Sequence, residues 1–275
     1  MATIAIYILA PIVNFGAIAQ INFVPEYMIL PAIIFSCSTV IGFISYLTAQ
    51  KIWKNNTANL IGMSSVTGNT MYFGLPVILG LLGPEWAGVY ALLNLGLFLN
   101  EVGLGYFFGA RGHATLKGAL VKVLKLPVLH AIWLGLLYNL SGLSLPNSFI
   151  RYWDYSIGAW VLIGMMIIGI ALSKQSRLEI DLKLMAGTFI PKFILWPAFG
   201  FGIIFIDLTF FGAFGPEVHQ MLAVICAVPM AGNLVAYAAT LNLHPERAAS
   251  AVLVSTLIAF LTVPGAVLLY QLISG

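Results

Sequence analysis

Apolar residues run along this chain in long stretches that wrap every face of a helix, and the polar positions gather at intervals between them. A helix needs about 20 apolar residues to cross the hydrocarbon core of a bilayer. Counted on that length, the pattern predicts nine spans, at 3–22, 27–49, 58–82, 86–109, 120–141, 155–173, 184–206, 218–240 and 247–272. Composition agrees with an all-α integral membrane protein: 61% of the 275 residues are apolar and 8% are charged, against about 25% charged in an ordinary soluble domain. Mean hydropathy is +1.01. The first stretch starts directly after Met1 with no basic leader and carries Asn14, so it is read as a permanent span, not a cleaved signal. Cys37 and Cys226 fall inside spans and are read as small buried hydrophobes.

Charge distribution says more than the net charge of +3. Every second connection collects bases: Lys51 and Lys54; Arg111, Lys117, Lys122 and Lys125; Lys174, Arg177 and Lys183; Arg247. The other side holds Glu26, Glu85, Asp154, Asp207 and Glu217, with Arg151 as its one base. By the positive-inside rule the basic side is cytoplasmic, which places the N-terminus inside and the C-terminus outside a multi-pass cell membrane protein.

Two spans are interrupted. The first reads Gly68-Asn69-Thr70-Met71-Tyr72-Phe73-Gly74-Leu75-Pro76, and the second Val228-Pro229-Met230-Ala231-Gly232-Asn233. In a bilayer a helix breaks at mid-depth only where protein or a wet cavity satisfies the freed backbone groups. Such breaks at matching places in two halves mark the substrate site of many carriers. The halves do match: Pro76 and Pro229 are 153 positions apart, and the spans starting at 27 and 184 are 157 apart. Applied to the fifth span, 120–141, that offset lands before Met1. The expected arrangement is an inverted repeat of four plus five helices, with the opening helix missing.

Gly68-Asn69-Thr70 followed by Gly74-Leu75-Pro76, Pro229 to Asn233 followed by Tyr237, His244-Pro245-Glu246 to Leu253, and Lys125-Leu126-Pro127 to Gly135-Leu136-Leu137 resemble the auxin efflux carrier family over almost the whole chain. The resemblance implies a secondary carrier that exports small organic anions by an elevator-type movement, and a homodimer formed through scaffold helices. It groups 3–22, 120–141 and 155–173 as the scaffold and 27–109 with 184–272 as the transport part. The chain departs from the family in lacking the first helix and the long central hydrophilic loop of many plant members. The implied substrate site is Asn69, Thr70, Gly74, Pro76, Pro229, Gly232, Asn233 and Tyr237, with Asn69 at the position that contacts the substrate's acid group. A half-helix starting after each break would aim a positive end of about half an elementary charge at the membrane centre. The amides of Asn69 and Asn233 either donate to a carboxylate, cap the broken ends, or do both. Tyr72, Phe73 and Tyr237 either line the cavity or pack.

Two charges lie inside spans. At 1.5 Å per residue, Glu101 and Lys192 sit at matching depths of roughly 13 to 15 Å from the basic side. An unpaired charge there costs on the order of 3 kcal/mol. They are therefore read as an intramembrane ion pair or as a coupling site, with Lys192 snorkelling as a further alternative. Asn94 and Asn100 can complete a polar network with Glu101. His113, His219 and His244 fall in connections and His130 near the start of a span, too scattered for a metal. No zinc, nucleophile-elbow or phosphate-loop motif is present, so no enzyme, cofactor or nucleic-acid partner is expected. Two other readings stay open: a sodium-coupled symporter of the bile-acid carrier type, and a membrane sensor that keeps a carrier fold.

Overall fold

The structure, a computed structural model, describes residues 1–21, 25–173 and 181–274. Lys174 and Arg177 of the basic connection, and Gly275, lie outside the described residues. Regular structure among the described residues is helical throughout: α1 (Ala2–Ala19), α2 (Leu30–Ile52), α3 (Thr57–Ser65), α4 (Thr70–Leu82), α5 (Ala87–Ala110), α6 (Leu116–Leu124), α7 (Pro127–Leu140), α8 (Asn147–Ser173), α9 (Leu182–Phe211), α10 (Pro216–Ala227), α11 (Asn233–Leu241) and α12 (Pro245–Ser274). Six of these are long and apolar enough to cross a membrane, and eight spans result if the bent pairs α3–α4 and α6–α7 each count as one. The chain is an all-α integral membrane protein.

The stretch 218–240, expected to be an interrupted span, is two short helices flanking a break at residues 228–232; counting α10–α11 as a third broken pair brings the eight to the nine expected. The predicted span 120–141 is also not continuous. It bends by 48° between α6 and α7, where Pro127 opens α7 with a ring that has no N–H to give and Leu126 before it is extended. The span predicted to end at 206 runs on to Phe211 and stops at Gly212, whose φ of 56° lies in the left-handed region that ends helices.

The order helix, broken pair, helix occurs twice: α2, α3–α4, α5 and again α9, α10–α11, α12. Within the first set α2 packs on both α3 and α5, and within the second α12 packs on both α10 and α11. Pro31 and Gly96 set the α2–α5 distance, since a Cβ at Gly96 would collide with the Pro31 carbonyl oxygen. Outside these sets α1 packs against α7 and α8. Asn139 of α7 donates its amide to Ile18, Ala19 and Ile21 carbonyls at 3.2, 3.0 and 2.7 Å, closing the end of α1 that would otherwise be left with orphan acceptors. Trp153 of α8 donates to Val13 O at 2.9 Å, resting where Gly16 leaves room for the indole.

Two hydrophobic cores form. One gathers residues of α1, α3, α6, α7, α8 and α11, the other residues of α4 and α10, while α2, α5, α9 and α12 contribute to both. Val228 belongs to the second and Met230 to the first. The break in 228–232 therefore sits where the two cores meet.

Candidate functional site

The first break spans Val66 to Asn69, between α3 and α4. Its position follows from the last turn of α3, where hydroxyls compete for the helix's own carbonyls: Ser64 Oγ donates to Ile61 O, Ser65 Oγ to Gly62 O and Thr67 Oγ1 to Ser64 O, at 2.8, 2.8 and 3.0 Å. Two carbonyls, one at the end of that turn and one beyond it, are taken by α9. Trp196 Nε1 donates to Ser65 O at 2.7 Å and Lys192 Nζ to Thr67 O at 3.1 Å. Both donors are fully buried, so the freed backbone is satisfied by protein, as a break inside a membrane requires.

The second break is closed mainly by α12. Thr262 Oγ1 donates to Ala227 O at 3.0 Å, and Ser255 Oγ accepts from Met230 N at 3.2 Å. The two breaks are joined directly: Asn69 N donates to Pro229 O at 2.8 Å. Sequence reasoning paired these segments by position along the chain, and they do meet in space, residue 69 against residue 229.

Beyond Asn69, α4 opens with a wide π turn in which Asn69 O accepts from both Phe73 N and Gly74 N at 3.2 Å. Gly74 is required there because a Cβ would collide with the Tyr90 hydroxyl. Thr70 is buried and its hydroxyl donates to Asn94 Oδ1. The side chain of Asn69 occupies the capping position but caps nothing: it makes no side-chain hydrogen bond to the helix it precedes and has no partner among the described residues. It is partly exposed. Asn233, at the start of α11, instead donates Nδ2 to Glu101 Oε1 at 3.1 Å.

Several expected site residues take other places. Pro76 lies inside α4, seven residues past Asn69, and is exposed on the outer face. Tyr237 is buried in the core, edge-on to the Tyr106 ring at 5.6 Å. Phe73 packs edge-on against Phe260 at 5.6 Å, whereas Tyr72 is exposed. Gly232 stands beside Ile168 of α8, whose Cδ1 would lie 3.2 Å from an added Cβ. That puts the second break against a helix of the predicted scaffold.

Glu101 and Lys192 are both buried, yet they form no ion pair: none is found between them among the described residues, and each has a neutral partner, Asn233 for the one and Thr67 O for the other. Each sits at the helix end that suits its charge, the carboxylate at the start of α11 and the ammonium at the end of α3. Asn100 does not join Glu101. It reaches α2 instead, donating to Phe35 O at 3.0 Å and Thr39 Oγ1 at 2.7 Å.

Sequence reasoning missed two side-chain contacts. Trp196 lies four positions after Lys192, hence on the same helix face, and a tryptophan away from the membrane interface must find an acceptor for its N–H. That spacing was a readable signal. The other is Asp207 with His219, Nε2 to Oδ2 at 2.9 Å. His219 lies not in a connection but in α10, and is buried. A cavity of about 370 Å³ lined by Ile29, Ile33, Asp207 and Phe214 adjoins this pair, away from both breaks.

Comparison with known proteins agrees with this architecture. Residues 111–267, more than half of the chain and including Lys192 and the second break, match the family described as membrane transport protein. An uncharacterized transporter of Methanocaldococcus jannaschii is 30% identical over 208 residues, 72% of this chain and 67% of its own length. With two broken helices bonded to each other at the meeting of two cores, and with these matches, the chain belongs to the membrane transport protein family of auxin efflux carrier type.

Proposed function

We propose that this transporter is a secondary carrier of small organic anions in which α2–α5 and α9–α12 move as an elevator against α1, α6–α7 and α8. The observation that carries the reading is Asn69. Its backbone N–H ties the two breaks together while its side-chain amide, partly exposed at the N-terminal end of the 13-residue helix α4, has no protein partner among the described residues. The first N–H groups of a helix lack internal acceptors and carry partial positive charge. An amide donor beside them suits a carboxylate without any arginine.

The reading is tested by binding. Asn69→Ala is expected to weaken binding of the best ligand in a panel of mono- and dicarboxylates by roughly tenfold or more, the loss of about 1.5 to 3 kcal/mol for a bond to a charged group. Thermal stability without ligand should stay near that of the wild type, because the side chain caps nothing. Isothermal titration of the purified protein reads both affinities; equal values for a folded variant would remove Asn69 from the site.

The reading also includes orientation. With the basic connections cytoplasmic, a C-terminal reporter active only outside the cell should be active. A working cytoplasmic reporter at the same end would reverse the assignment.

A further inference from the structure

Lys192 is fully buried in the middle of α9, in a setting where a charge without a partner is expensive. No carboxylate within ion-pair distance accounts for it among the described residues. What it meets is the carbonyl end of a broken helix. Three hydroxyls and the Trp196 indole take the carbonyls of Ile61, Gly62, Ser64 and Ser65, and the ammonium takes Thr67 O, two residues further on, at 3.1 Å. The Trp196 ring lies 5.5 Å from the same nitrogen, close enough for attraction between cation and ring face. Gly68 lets the backbone come this near, since its Cβ would stand 3.1 Å from Nζ and 2.9 Å from Leu97 Cδ2.

A helix C-terminus carries about half a negative charge. Broken helices of secondary carriers use that end, together with unwound carbonyls, to coordinate the coupling cation. We infer that the Lys192 ammonium is a built-in cation at the carbonyl end of α3, filling the place that an exchangeable monovalent cation would otherwise take. On the carrier reading above, the positive charge then travels with the moving helices and the bound anion needs no sodium beside it. Glu101 does not provide an alternative cation site at this point, because its carboxylate is turned to Asn233 on the other broken helix.

The test compares salts on the whole purified protein with no organic anion present, so its outcome is independent of what the carrier transports. Thermal unfolding is followed in sodium, potassium and choline chloride at equal ionic strength. The wild type is expected to show one midpoint in all three. Lys192→Ala, which leaves both the carbonyl and the space, is expected to be destabilised in choline and restored by several degrees in sodium or potassium. Lys192→Met, which fills the space with an apolar chain, is expected to be destabilised without regard to the salt. A merely structural lysine would leave the two variants alike. The inference is overturned by a sodium-specific rise in the wild type, or by a folded Lys192→Ala protein indifferent to the cation. If Lys192→Ala folds in no salt, the wild-type series decides on the same terms.

Discussion

Trp196→Ala is expected to be the most damaging single substitution near the two breaks. Truncating a buried tryptophan costs about 3 to 5 kcal/mol through lost packing and the cavity left behind. Here it also strips Ser65 O of its donor at a place water does not reach, which adds about 1 to 3 kcal/mol. Trp196→Phe separates the two, because it keeps most of the volume and removes only the N–H. The phenylalanine variant should therefore lose the smaller amount and the alanine variant the sum. Thermal midpoints of the purified proteins order the three. A phenylalanine variant as stable as the wild type would mean that Ser65 O finds another donor, and that α3 does not depend on α9 to end where it does.

The second large effect is expected in the last turn of α9. The Asp207 carboxylate accepts from Ala213 N at 3.0 Å, Phe214 N at 3.1 Å and His219 Nε2 at 2.9 Å, so it closes the turn that carries the chain from α9 into α10. Bonds to a charged group are worth about 1.5 to 3 kcal/mol each. Asp207→Ala should cost about 3 kcal/mol or more, because three such bonds go together and His219 is left buried without an acceptor. The double change Asp207→Ala with His219→Leu should recover the part that comes from the stranded imidazole. A double variant no more stable than the single one would show that the turn, not the pair, is the source of the loss.

The gross plan was legible in the chain because it rests on the strongest signal a membrane imposes, the length and continuity of apolar runs. Both interrupted stretches were visible for the same reason: glycine, proline and asparagine inside such a run leave backbone groups unsatisfied. The positions of the breaks were less legible. Proline drew attention to residue 76, but Pro76 lies within α4 just after its opening π turn, and the actual break at residues 66–69 is made by hydroxyls of Ser64, Ser65 and Thr67 turning back on α3. The same serine and threonine pattern occurs harmlessly in other helices, so nothing local distinguishes it.

Matched depth left the direct partners of two buried charges open. Glu101 and Lys192 lie at similar levels, and pairing was the economical assumption for two charges in an apolar setting. Depth along the membrane normal fixes only one of three coordinates. Asn233 and the Thr67 carbonyl, brought from other parts of the chain, are what each charge meets. The consequence is practical: Glu101→Gln keeps an acceptor for Asn233 and strands no lysine, so the large loss of stability expected of a broken ion pair no longer follows. Asp207 and His219 escaped notice because the turn through Gly212 joins them, and its geometry depends on a left-handed residue that pattern alone does not place.

Flux is the most direct test of the carrier assignment. The protein is reconstituted in liposomes and uptake of labelled small mono- and dicarboxylates is followed for the wild type and for Asn69→Ala at equal incorporation. The account predicts saturable uptake of at least one such anion by the wild type, with the asparagine variant slower by the factor it loses in affinity when substrate is dilute. Uptake no greater than in protein-free liposomes for every anion in the panel, or equal saturable rates for the two proteins, would contradict it.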